Sequence, residues 1–202
     1  EAFESGQDFH SATAAQVFGI DSKDVTPDQR SFAKRLNFGV VYGLGASRFA
    51  QMAGLTQVEG ERTLRKYFAT YPKMDEWLRN QSKNVLTERS ARTKSGRLAR
   101  ISFDANDRSS VGAAQRYAKN MPIQGTSADI LKRALRLLHD DLRGSSGKLV
   151  NIVHDEIIVE CDKAEADEIV KKLASAMLTA GQEFVAKVPI KVDIHTADEW
   201  SK

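Results

Sequence analysis

At 202 residues the chain can bury a substantial core, as one large domain or two small ones. A formal charge of +3 is only mildly basic, so net charge alone identifies no polyanionic partner and local clustering has to decide. The single cysteine, Cys161, excludes an internal disulfide framework and points to a reducing compartment; no apolar run reaches the roughly 18 residues of a membrane span and no signal peptide is visible, so a soluble, intracellular protein with no membrane partner is expected.

Taken in order, residues 8–18 read as a short helix, with Asp8 as N-cap, Ala12, Ala15, Val17 and Phe18 as its apolar positions and Gly19 as its stop. His10 falls in the first turn. A second helix starts at Pro27-Asp28 and runs to the Gly43/Gly45 pair. At roughly 100° per residue, Arg30, Lys34, Phe38 and Tyr42 drift by about 40° per step and share one face. Like charges at i and i+4 repel by a few tenths of a kcal/mol, and Asp28 is the nearby acid, so an anionic partner from outside is the natural neutraliser. A polyphosphate suits Arg30 and Lys34; a flat base suits Phe38 and Tyr42. The competing reading is an amphipathic core helix with solvated cations.

Helical spacing continues over 47–53, 57–68 and from Tyr71-Pro72 to about Thr87, where Phe49, Met52, Leu55, Leu64, Tyr67, Phe68, Met74, Trp77, Leu78 and Val85 are assigned to packing. Residues 91–103 are short and β-capable, turned at Ser95-Gly96. Arg89, Arg92, Lys94, Arg97 and Arg100 crowd this segment, with Glu88 the only nearby acid. A helix from about Asp107 meets Pro122, which predicts a break near Met121 and a restart at Thr126, where Asp129 makes a capping-box-like start to the Leu131, Leu135, Leu138 and Leu142 stripe. After the loop at 143–148, two β-branched runs flank His154-Asp155-Glu156 and predict a hairpin with these polar residues at its tip. A helix over 164–179 and a strand over 190–194 close an α+β chain. The carboxylates at the tip are hard oxygen ligands suited to Mg²⁺, with a polar turn as the alternative.

Several of these stretches together resemble the DNA polymerases of family A, the polymerase I type. Arg30-x3-Lys34-x3-Phe38-x3-Tyr42-Gly43 resembles their motif B, Asp8-x-His10-x2-Thr13-Ala14 a preceding pattern, Thr93-x2-Gly96-Arg97 a nucleic-acid segment, Asn120 to Asp129 a further block, and His154-Asp155-Glu156 motif C. The resemblance covers essentially the whole chain. It implies a helical fingers subdomain over 1–111 and the C-terminal part of a palm subdomain over 112–202, the latter with a hairpin, a third strand and packed helices. It implies template-directed transfer of a nucleotide from a dNTP to a primer 3′-hydroxyl by a two-metal mechanism.

By the same resemblance His10, Arg30 and Lys34 hold the triphosphate, Lys34 with a catalytic part. Phe38 packs over sugar and base, and Tyr42 sits near the templating base. Arg97, Arg116, Asn120 and Gln124 contact primer-template DNA, Gln124 reading minor-groove acceptors present in every correct pair. Asp155 is a Mg²⁺ ligand, Glu156 a supporting catalytic carboxylate and His154 a contact to the primer end. Leu98 and Ala99 stand where the family has further arginines, which lowers the cation density around Arg97. A phenylalanine at position 38 goes with poor use of dideoxynucleotides. The chain starts at Glu1 without Met, just after the point where the family's motif A carries another catalytic aspartate. A fragment inactive alone is therefore expected, needing the remainder of the polymerase (thumb and motif A strand) for its second Mg²⁺ ion, in the cytoplasm near the nucleoid or another reducing, DNA-containing compartment. Two other classes are a non-catalytic nucleic-acid-binding module built on 89–100 and a metal-dependent phosphohydrolase using His10, His154 and Asp155.

Overall fold

The computed structural model describes residues 8–200. They form seven α-helices and two small antiparallel sheets, with short 3₁₀ turns at Ser22–Asp24 and Lys163–Glu165. The chain divides into two compact units, Glu1–Ile123 and Gln124–Lys202.

The first unit opens with α1 (Phe9–Phe18), where the Asp8 carboxylate accepts from the Ser11 N–H and Gly19 closes the helix at φ 72°. Helix α2 (Pro27–Val41) begins with proline in its first turn and a reciprocal capping box: the Thr26 hydroxyl accepts from the Gln29 N–H, and the Gln29 side chain accepts from the Thr26 N–H at 2.9 Å. Helix α3 (Ala46–Ala53) is followed by α4 (Gln57–Thr70), whose start repeats the capping box with Thr56 and Glu59, and by α5 (Pro72–Glu88). Strands β1 (Ser90–Arg92) and β2 (Leu98–Arg100) pair with Ser90 opposite Arg100. Leu36, Val40, Phe49, Leu64, Tyr67 and Leu78 form one core of this unit, with the rings of Phe32 and Trp77 packed against it. A second cluster joins Val85, Ala91, Ile101, Ala114, Ala118 and Met121 beneath the β1–β2 hairpin.

Helix α6 (Arg108–Asp141) runs through Pro122 as one element, and this corrects the expected break near Met121 and restart at Thr126. A proline removes one N–H and crowds the carbonyl four residues back, whereas ending the helix there would leave up to four orphan groups at each new terminus. Thr126 is accordingly buried within the helix and is not an N-cap. In the second unit β3 (Lys148–Val153) and β4 (Glu156–Glu160) form the expected hairpin, followed by α7 (Ala166–Phe184), which is longer than its predicted span. Ala134, Leu138 and Leu142 of α6 pack with Ile157 of β4 and Ile169, Ala176 and Ala180 of α7. Among the described residues there is no third strand in this sheet. Residues 190–194 stay unpaired, and Ile190 instead lies against Gly181, where an added Cβ would come within 2.9 Å of it.

Candidate nucleotide and nucleic-acid site

Helix α2 has two chemically different faces. Ala33, Leu36, Asn37 and Val40 are buried, while Phe38 and Tyr42 remain 48% and 45% exposed. What matters is that the two rings are exposed side by side on one face. Lys34, Phe38 and Tyr42 line one groove of ≈ 630 Å³, and Arg48 and Met52 of α3 and Arg116 of α6 complete its walls. Met52 is 51% exposed, so the sequence assignment of this residue to the core is corrected: it is a groove wall. Gly43 ends the helix at φ 74°, a conformation that favours glycine, and a Cβ there would meet Arg116 Cγ at 3.3 Å, so the Arg116 side chain would have to give way slightly. Among the described residues Lys34 makes no ion pair.

Arg30 does not line that groove. Its guanidinium binds Asp8 through two bonds, Nε to Oδ2 at 2.6 Å and Nη2 to Oδ1 at 3.1 Å. The compensating acid for the cationic face is thus Asp8, not Asp28, and a planar two-point pair of this kind is among the stronger surface ion pairs. Hydrogen bonding from Arg30, then from the Ser11 hydroxyl, holds the Asp8 carboxyl well below the usual carboxylate range.

Behind the groove lies a polar network that the sequence does not announce. His10 Nδ1 lies 3.0 Å from Asn37 Nδ2, which also donates to Thr13 Oγ1 at 3.1 Å. The Thr13 hydroxyl donates to the Phe9 carbonyl at 2.9 Å and lies 3.0 Å from the Tyr71 hydroxyl. Thr13 is fully buried and Asn37 nearly so, and the His10 and Phe38 rings lie 5.8 Å apart. Burial lowers the His10 pKa, with Asp8 opposing and Arg30 and Lys34 reinforcing that shift. In sequence, Asn37 reads as one more polar residue on a helix; only its position on the buried face could have signalled the role.

The basic hairpin displays Arg92, Arg97 and Arg100 to solvent. Thr93 is buried and its hydroxyl accepts from the Arg97 N–H at 3.1 Å, with Gly96 at φ 91° making the turn. Arg89 leaves α5 at φ 49°; its guanidinium sits 4.4 Å from the centroid of the Phe103 ring and donates to the Phe103 carbonyl at 3.1 Å. Arg89 is therefore a structural clamp within the basic cluster. On α6, Arg116 and Asn120 are one turn apart, and the Asn120 Oδ1 is buried without a hydrogen-bond partner. Gln124, one turn on and in the second unit, is exposed.

At the tip of the β3–β4 hairpin Val153 pairs with Glu156, leaving His154 and Asp155 as the two turn residues. His154 has φ 56° and Asp155 does not share that sign, which is the II′ pattern in which glycine normally takes the first place. A histidine there stores of order 1 kcal/mol of backbone strain. Neither the Asp155 nor the Glu156 carboxylate makes a hydrogen bond or ion pair among the described residues, and both are exposed. Two adjacent, uncommitted carboxylates suit one side of a Mg²⁺ ion, which commonly takes one or two protein carboxylates plus water and phosphate oxygens. Among the described residues no group of three or more His, Cys, Asp or Glu comes together, so this donor set is partial. Among the described residues no helix is long and apolar enough to cross a membrane.

An α+β chain with a cationic and aromatic groove on one helix and a pair of free carboxylates on a hairpin tip has the parts of a nucleotide- and metal-handling protein. The profile of DNA polymerase family A matches residues 1–202, and the chain belongs to that family. It is 36% identical to DNA polymerase I of Aquifex aeolicus (strain VF5), with 100% of this chain and 35% of that protein covered. Against the thermostable DNA polymerase I of Thermus filiformis the identity is 34%, covering 98% of this chain and 24% of the relative. Among solved structures, the POL domain of Pol1 from M. smegmatis, in complex with DNA primer-template and dNTP, superposes with a TM-score of 0.84 at 30% identity, over 89% of this chain and 32% of that one. The chain spans about a quarter to a third of the length of these relatives.

Proposed function

We propose that the chain is the fingers and C-terminal palm portion of a template-directed DNA polymerase, with the fingers assigned to 1–111 and the palm portion to 112–202. The observation that carries the reading is the groove on which Lys34, Phe38, Tyr42 and Arg116 meet, because it joins a cation, two open rings and a second cation in one cleft. Family membership and the likeness to a polymerase domain solved in complex with DNA primer-template and dNTP support it.

In this reading Lys34 binds the triphosphate and offsets charge as the leaving pyrophosphate forms; in a water-poor cleft such positioning and charge neutralisation supply most of the acceleration in phosphoryl transfer. Arg30 exchanges its Asp8 partner for phosphate oxygens, and His10 donates to the same group. Phe38 stacks over sugar and base, and Tyr42 borders the templating base. Arg97, Arg116, Asn120 and Gln124 orient primer-template DNA, with His154 against the primer end. Asp155 and Glu156 would hold Mg²⁺, which when bound lowers the pKa of the attacking hydroxyl and neutralises the departing phosphates. Among the described residues these carboxylates form only a partial set, and in this reading the second ion takes a further carboxylate, from the motif A strand.

The test uses the complete polymerase bound to primer-template, whose melting temperature is measured with and without the matched dNTP in Mg²⁺. The dNTP should raise it, and Lys34→Ala should abolish the increment while leaving DNA binding in place. A non-catalytic DNA-binding module would show no dNTP-dependent rise, and a phosphohydrolase would release phosphate without template.

A further inference from the structure

The polar network behind the groove has a hydrogen-bond inventory in which one arrangement keeps the shortest contacts. The Thr13 hydroxyl has one proton and three acceptors in reach, the Phe9 carbonyl at 2.9 Å, the Tyr71 oxygen at 3.0 Å and Asn37 Oδ1 at 3.3 Å; the Phe9 carbonyl is the nearest, and with the proton there the hydroxyl accepts from Asn37 Nδ2 at 3.1 Å. The Asn37 atom nearest it is then the amide nitrogen, and the second N–H of that nitrogen lies 3.0 Å from His10 Nδ1. An Nδ1–H imidazole would aim two donors at each other. The alternative amide orientation pairs its oxygen with an Nδ1–H ring and requires the Thr13 proton to leave the shorter Phe9 contact.

We propose that Asn37 is a positioning residue that locks His10 in the Nε2–H tautomer, leaving a fixed neutral donor on the ring edge away from Asn37, for a triphosphate oxygen. The proposal rests on the placement of His10 at the triphosphate argued above. It explains why a polar side chain occupies the buried face of α2, where Ala33, Leu36 and Val40 are its neighbours. Thr13 on α1 and Tyr71 between α4 and α5 anchor the amide, so His10 is fixed against the helix that carries Lys34.

The groups facing His10 are Asp8 at the start of α1, Arg30 and Lys34 on α2, and Tyr71 through Thr13. Burial, joined by the two cations, favours the neutral ring over the imidazolium, and Asp8 opposes this. A neutral imidazole donates to phosphate only if the outward nitrogen carries the proton, which makes the tautomer decisive.

The complete polymerase labelled with ¹⁵N-histidine reads the tautomer directly, the His10 signal being assigned by its loss in His10→Gln. Nδ1 should be the unprotonated nitrogen and Nε2 the protonated one; a protonated Nδ1 in the neutral ring overturns Asn37's role and leaves His10 at the triphosphate. Asn37→Asp supplies a carboxylate that favours Nδ1–H. Relative to the unaltered enzyme, its kcat/KM for the matched dNTP should fall about tenfold as pH rises from about 6.5 to 8.5, because the imidazolium still donates from Nε2 and the new neutral tautomer does not. Parallel pH profiles overturn the proposal. If His10→Gln leaves the KM for dNTP unaltered, the triphosphate placement itself fails, a result separable from the tautomer reading.

Discussion

At the scale of single residues, Arg30 on α2 has its carboxylate partner before any ligand arrives. Asp8 is both the N-cap of α1 and the partner of Arg30. Asp8→Asn keeps a good capping residue but deletes the ion pair, so it should cost about 0.2–1 kcal/mol at neutral pH, since both side chains are well exposed to solvent. The carboxyl is depressed in the folded state, so its contribution is present above the ordinary Asp value of about 4 and is lost as pH falls below it through the folded value. Acid unfolding followed by circular dichroism should therefore show the two proteins converging in stability at low pH; a gap that persists there counts against the pair. At Phe38 the prediction is chemical. The ring is open at the groove and carries no hydroxyl, so Phe38→Tyr in the complete polymerase should raise dideoxynucleotide incorporation relative to deoxynucleotides by supplying a donor where the 3′-hydroxyl is missing. An unchanged ratio removes Phe38 from the sugar.

At the scale of elements, helices α3 and α4 approach so closely that a glycine is required between them. A Cβ at Gly60 would lie 2.7 Å from Ala50 Cβ and 3.1 Å from the Ala46 carbonyl oxygen. Gly60→Ala gains up to about 1 kcal/mol of helix propensity, yet it forces backbone apart, an overpacking cost of about 1–3 kcal/mol. Net destabilisation in urea unfolding is the expected outcome, and a stabilised variant would show that the two helices separate easily. The starts of α1 and α2 were legible, because Asp8 and Pro27 act within one turn, whereas the Thr26-Gln29 and Thr56-Glu59 capping boxes emerged with the structure. The run through Pro122 was not legible, since continuation depends on what surrounds both turns. The strand at 190–194 fails for a similar reason: β propensity needs a partner, and Ile190 finds Gly181 of a helix instead.

For the whole molecule, the expected consequence of the partial carboxylate set is a requirement for further chain. A primer-extension assay with residues 1–202 alone in Mg²⁺ should yield no template-directed product, while the complete polymerase extends the primer and loses that activity on chelation; products from the isolated chain would mean that Asp155 and Glu156 suffice.

Sequence alone determined the α+β class, most helix and hairpin limits, the shared face of Lys34, Phe38 and Tyr42, and the exposed His154-Asp155-Glu156 turn, because each follows from short-range periodicity, capping or turn chemistry. Tertiary structure decided that Arg30 belongs to Asp8, that Arg48 and Met52 are groove walls, and that Asn37 reaches His10 beside Thr13 and Tyr71. Those partners are separated by as many as 58 positions along the chain, and no local rule relates residues that only packing brings together.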